Sequence, residues 1–109
     1  MTRGDIYLVK KPGKSDPKRR RAFVIASRQV LIDSKYATVI CAPVYSTNSG
    51  LASQVTVGTD EGLKQASAVH CDGLVSIAKS ELIDYVGSLG ERKLAELSAA
   101  LKVALAIEE

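Results

Sequence analysis

The feature that most restricts the fold is a change of hydrophobic period at Glu91. Before it, apolar residues come in short runs that alternate or are rich in β-branched side chains. After it, Leu94, Leu97, Leu101 and Leu105 fall on one helical stripe. "GDIYLV" alternates, with Ile6 and Leu8 on one face and Tyr7 and Val9 on the other, and reads as a strand. "AFVIAS" and "YATVICAPV" read as strands near the centre of a sheet. Pro43 lacks an N–H to donate, so its place points to a strand end or an edge position. "ASQVTVG" alternates again and "TDEG" signals a turn. "SAVHCDGLVSI" holds two short strands, or one broken at Asp72-Gly73. "AKSEL" suits a single helical turn, and "IDYVGSL" a last strand. Gly90 or Ser88 is placed to cap the terminal helix, and Glu91 suits the positive end of its dipole.

Five or six short strands followed by one helix imply a mainly β chain with a C-terminal α-helix. A small, strongly bent antiparallel sheet or barrel fits that order. The 109 residues suffice for one domain, 1–109. A barrel this small has a modest core, so pairing with a second copy is a sensible way to bury more apolar surface.

Charge is distributed unevenly. Residues 1–35 carry ten Lys/Arg and three acids, whereas the remainder carries five and nine. Much of the excess lies in "KKPGKSDPKRRR", a Pro- and Gly-containing stretch that reads as a long basic loop. Such a field favours a polyanionic partner. A solvated loop has the same composition, and so has a nuclear-import signal. The latter fits poorly with a run that leads directly into a core strand.

Several function classes are excluded or left without support. No apolar run approaches the ~20 residues of a membrane span, and "MTRGDIYLVKK" does not read as a signal peptide. A cytoplasmic protein with no membrane partner is the default. Cys41 and Cys71 form no CxxC, and only His70 could join them, so no metal site is expected and no cofactor is implied. The two thiols read as small buried hydrophobes. There is no GxGxxG, P-loop, HExxH or GxSxG. His70, between the apolar Val69 and Cys71, reads mainly as a strand histidine on the less buried face, with acid–base work as the sharper alternative. "PVYSTNSG" gathers hydroxyls at the end of a strand, either as a site or as a plain chain reversal.

"RGDIYLV", "RRAFVIAS", "VICAPVYS", "GLKQASAVHCDGLVSIAKSEL" and "VGSLGERKLAELSAALKVALAI" follow in an order that resembles the MazF/PemK family of toxin endoribonucleases, from Arg3 to Ile107. The resemblance implies an SH3-like barrel with a C-terminal helix, a homodimer, and metal-independent cleavage of single-stranded RNA, with mRNA as the leading candidate. It also implies a cognate antitoxin that occupies the RNA groove, with an acidic C-terminal segment. Carried onto this chain, the family's catalytic arginine is Arg21, with Ala22 where proline is usual, and Asp16 holds the place of a preceding acid. Tyr45 stands where the family has a threonine, and Ser46 and Thr47 follow it. The catalytic set so implied is Arg21, Ser46, Thr47 and Asp16.

Chemistry agrees with that set. RNA can be cut without a metal by its own 2′-OH, provided that hydroxyl loses a proton, the phosphorane is stabilised and the 5′-oxygen is protonated. The arginine fork matches phosphate oxygens and keeps its charge. Arg21 therefore suits the phosphorane and does not suit the base. A hydroxyl of Ser46 or Thr47 can orient phosphate, and Asp16 can orient Arg21. Lys10, Lys11, Lys14, Lys18, Arg19 and Arg20, with Tyr45, are the expected RNA-binding residues. Two alternatives stay open. A gyrase-poisoning toxin on the same barrel would use a Trp-Gly-Ile end, but this chain has no Trp and ends "VALAIEE". A weakened family member is the other.

Overall fold

The computed structural model describes residues 1–10 and 20–108. Seven strands form one bent antiparallel sheet: β1 (Asp5–Lys10), β2 (Arg20–Ile25), β3 (Thr38–Tyr45), β4 (Gln54–Val57), β5 (Ser67–His70), β6 (Val75–Ala78) and β7 (Asp84–Ser88). Their order is β4-β5-β3-β2-β1-β7, with β6 also paired to β3. A short helix α1 (Gln29–Asp33) joins β2 to β3, and α2 (Glu91–Ala104) closes the chain.

β3 is the hub, because its apolar residues can be buried on both faces. Ala42 and Val44 join Ile6, Val24, Val55 and Val69 in the core beneath α2. Val39 and Cys41 join Tyr7, Phe23, Ile25 and Ile77 in a second cluster, covered by Ile32 of α1 and by Leu82. This is the two-sided burial that continuous β-branched runs signal. From α2, Leu97 and Ala100 are buried in the first core while Leu94 and Leu101 pack at its margin. Full burial of one such leucine contributes roughly 1.5–3 kcal/mol.

Pro43 and Leu105 differ from the sequence reading, and two of its open alternatives are settled. Pro43 is inside β3 and not at its end, paired with Phe23 of β2. On the other flank β6 pairs only up to Cys41, and β5 begins at Val44. The proline occupies the hand-over, where no partner on that flank requires an N–H. "SAVHCDGLVSI" resolves into two strands, separated by a 3₁₀ turn at Cys71–Gly73. Leu105 lies beyond the helix and is exposed, because Ala106 adopts a left-handed φ of 57° that ends the helical path. Gly90 occupies the N-cap without a side-chain bond, leaving Glu91 as the acidic group of the first turn.

Two glycines allow the turn at Thr59–Glu61 to lie against β7. Gly62 has a φ of 92°, and a Cβ there would strike the Val86 carbonyl. A Cβ on Gly87 would strike the Glu61 carbonyl. That close approach holds the segment Leu63–Gln65 beside the end of β3, where it forms one bank of the groove described next.

Candidate functional site

The site is a consequence of register. Phe23 pairs with Pro43 between β2 and β3. Continuing that pairing by two residues sets Arg21 opposite Tyr45, and on the same face, since side chains alternate. The side chains meet there. The Arg21 guanidinium carbon lies 4.0 Å from the centre of the Tyr45 ring. Arg21 Nη1 also donates to the carbonyl oxygen of Val44 at 3.1 Å. The cation is held on two sides with the rest of its fork unused by these contacts, and a planar fork of N–H donors is what a phosphate requires.

On the other side of Tyr45 is His70, from the end of β5. The two rings meet edge to face, with centroids 4.8 Å apart. His70 Nε2 lies 2.9 Å from the Thr47 carbonyl oxygen. Arg21, Tyr45 and His70 thus form a row across three adjacent strands. The loop after Tyr45 is tied to β4 by Asn48 Nδ2 donating to Thr56 Oγ1 and by Ser49 N donating to Gln54 Oε1, both at 3.0 Å. A loop anchored in this way can hold hydroxyls in place.

A groove of about 520 Å³ runs over the site, with Arg21, Tyr45 and Ser46 on one bank and Lys64 and Gln65 on the other. Lys64 is a basic residue that sequence reasoning missed. Its only local signal is one lysine after a glycine-containing turn, and the fold alone carries it to the groove. Ser46 lines the groove, whereas Thr47 enters the site through its backbone carbonyl.

The basic residues separate into groups. Lys10 and Arg20 are exposed and face each other across β1 and β2. Arg20 points to β7, where it forms an ion pair with Asp84. Arg3 is committed to structure, with Nε donating to the Ala26 carbonyl and Nη2 to Ser98 Oγ. Lys11, Lys14, Asp16, Lys18 and Arg19 lie outside the described residues.

The cysteines are free and buried. Burial pushes the Cys41 thiol up to about 12. Burial and the neighbouring Asp72 carboxylate push Cys71 up to about 11. Both are therefore protonated and unreactive at neutral pH. Among the described residues no group of three or more His, Cys, Asp or Glu is arranged to hold a metal ion. No helix among them is long and apolar enough to cross a membrane.

Known proteins share this architecture. A family model described as the PemK-like, MazF-like toxin of type II toxin-antitoxin systems matches residues 2–105. A Mycobacterium tuberculosis protein named probable endoribonuclease MazF5 is 32% identical over 88 residues, covering 79% of this chain and 79% of its own. The solved structure of the Mycobacterium tuberculosis toxin MazF-mt6 superposes with a TM-score of 0.82 at 27% identity, over 96% of this chain and 99% of that one. A mycobacterial endoribonuclease solved with its cognate antitoxin superposes with a TM-score of 0.84, over 100% of this chain and 98% of that one. At 22% identity that last likeness concerns the fold.

Proposed function

Because the chain belongs to the PemK-like, MazF-like toxin family of type II toxin-antitoxin systems, we propose that the groove over Arg21 cleaves single-stranded RNA, mRNA first among RNA classes, without a metal. The observation that carries the reading is the Arg21 guanidinium, pinned by the Val44 carbonyl and the Tyr45 ring at the groove. A fixed cation aimed at a phosphate site stabilises charge that develops in the transition state, and it need not reorganise to do so.

In this reading Arg21 binds the non-bridging oxygens of the phosphorane. Ser46, on the same bank, orients the phosphate. Thr47 shapes the loop through its carbonyl and offers its hydroxyl to the sugar, while Asp16 orients Arg21. Lys10, Lys11, Lys14, Lys18, Arg19 and Arg20 hold the flanking phosphates, with Lys64 opposite. Tyr45 supports Arg21 and contacts a nucleotide. DNA lacks the 2′-OH, so it binds without being cut.

The same basic groove suits the acidic C-terminal segment of a cognate antitoxin, which would block RNA by occupying it. Residues 1–109 act as one domain in the cytoplasm. A homodimer is supported by exposed apolar side chains: Ile40 and Val75 gather beside Leu105 near the end of α2.

The test is cleavage of a long single-stranded RNA by purified protein in EDTA. The native protein should cut, and Arg21→Ala should lose about 10²–10³-fold or more in rate, the scale for removing one transition-state donor. An Arg21→Ala protein as fast as the parent would remove Arg21 from the mechanism.

A further inference from the structure

Two steps have no group assigned to them from the described residues, removal of the 2′-OH proton and protonation of the 5′-oxygen, and the first is the one that starts the reaction. Arginine has no acceptor, so Arg21 cannot take that first proton. Asp16 lies outside the described residues. We propose that His70 is the general base of this site, an inference that rests on the RNA-cleavage reading above.

Three observations support it. First, His70 Nε2 is 2.9 Å from the Thr47 carbonyl oxygen. A carbonyl only accepts, so Nε2 must carry the hydrogen. In the neutral ring the lone pair is then on Nδ1, the tautomer being set by the bond its other nitrogen makes. Second, Nδ1 has no hydrogen-bond partner among the described residues, and the ring is only half-buried. Third, it is one side chain removed from the groove's cation, although it does not itself line the groove. Its ring abuts Tyr45, which carries the Arg21 guanidinium. The row therefore sets a base one side chain away from the cation that would hold the phosphate.

Few titratable or charged groups among the described residues face the ring. Across the ladder His70 faces Gln54 of β4, which is uncharged. Arg21 of β2 lies beyond the Tyr45 ring of β3. Asp72, in the turn that follows β5, already accepts a hydrogen bond from Ser53 Oγ at 2.6 Å. Cys71, next to it, is buried and protonated.

The step balances with water as the only co-reactant. The 2′-oxygen bonds to phosphorus as its proton passes to Nδ1. The bond from phosphorus to the 5′-oxygen breaks, and that oxygen takes a proton from water in the open groove. The imidazolium then returns its proton to water. The products are a 2′,3′-cyclic phosphate and a 5′-hydroxyl. His70 is the only histidine in the chain. Histidine is also the side chain whose charge ordinarily changes between pH 5 and 8. An acid limb that disappears on His70→Gln therefore points to that residue.

The experiment is a pH–rate profile for single-turnover cleavage of a mixed-sequence single-stranded RNA, comparing native protein with His70→Gln, His70→Ala and Arg21→Ala. Glutamine can keep an N–H directed at Thr47 but has no titrating base. The expected result is an acid limb in the native profile. His70→Gln should lose about 10²–10³-fold in rate, lose the limb, and bind RNA within about threefold of native. Near-native rate in His70→Gln, with or without loss in His70→Ala, would overturn the proposal and reduce His70 to a support for the loop. Persistence of the limb in His70→Gln would overturn it as well. If native protein cuts and Arg21→Ala does not, the RNA reading stands whatever His70 does. If native protein cuts nothing, both readings fall.

Discussion

Tyr45 offers a sharp separation of ring from hydroxyl. It occupies the family's threonine place, yet in this chain its ring lies under the Arg21 guanidinium at 4.0 Å and against His70 at 4.8 Å. Its phenolic oxygen makes no hydrogen bond among the described residues. The geometry assigns the work to the ring. A cation over an aromatic face contributes about 0.5–2 kcal/mol, more as water is excluded. At about 1.4 kcal/mol per factor of ten, losing the platform should slow cleavage by roughly twofold to thirtyfold. Tyr45 is 38% exposed at a strand end, so truncation should leave the cores intact. Single-turnover cleavage with enzyme in excess, in EDTA, should then place Tyr45→Phe within about twofold of native and Tyr45→Ala lower by roughly that range. Equal losses in Tyr45→Phe and Tyr45→Ala would refute the argument, because the hydroxyl and not the ring would then be the contributing group.

Two further outcomes follow from charge and burial. Asp84 holds Arg20 in an ion pair whose side chains are half-exposed, a pair that contributes only ~0–1 kcal/mol to stability. Asp84→Asn should leave the melting temperature nearly unchanged while freeing Arg20 for phosphate. RNA binding should tighten, and its salt dependence should steepen by somewhat less than one unit of slope; an unchanged slope would show that Arg20 makes no phosphate contact. The buried thiols make the fold sensitive to alkali. Folded Cys41 and Cys71 keep their protons up to about 12 and 11, against an ordinary value of 9.0. Their contribution to stability is complete below about pH 9 and is lost as pH rises toward those values. Urea unfolding midpoints should fall from about pH 9 upward, and Tyr7, itself raised by burial, adds to the decline as the unfolded chain's tyrosine ionises around 10. Cys41→Ala should flatten that decline even if it lowers the overall midpoint.

The strands and α2 were legible because their periods of two and 3.6 are written in local sequence. α1 was not. It has five residues with only Ile32 buried, too few to show a stripe, and its last turn is held from far away by Lys79 Nζ, which accepts no part in the local pattern and donates to the Leu31 and Ser34 carbonyls. Arg21 and Tyr45 could be singled out from the family's order of motifs. That they touch could not, since contact depends on the β2–β3 register, and nothing local sets that register. His70 shows the same limit. Its placement on the less buried face followed from the apolar residues around it, and both of those are indeed buried. Its nearness to Tyr45 needed the β3–β5 pairing of Tyr45 with Ala68, which puts His70 one step along the same face. Lys64 reaches the groove only because Gly62 and Gly87 let two backbones approach.

Whether the RNA's own 2′-hydroxyl is the nucleophile can be read at a single atom. Once a cut site has been mapped on a long RNA, an oligonucleotide spanning it is made with one 2′-deoxy sugar on the 5′ side of the scissile phosphate. The native protein in EDTA should bind this strand about as well as the all-RNA strand and leave that bond intact. It should cut the all-RNA strand to a 2′,3′-cyclic phosphate and a 5′-hydroxyl. Cleavage at the deoxy position, or ends bearing a 3′-hydroxyl and a 5′-phosphate, would contradict the mechanism built on Arg21.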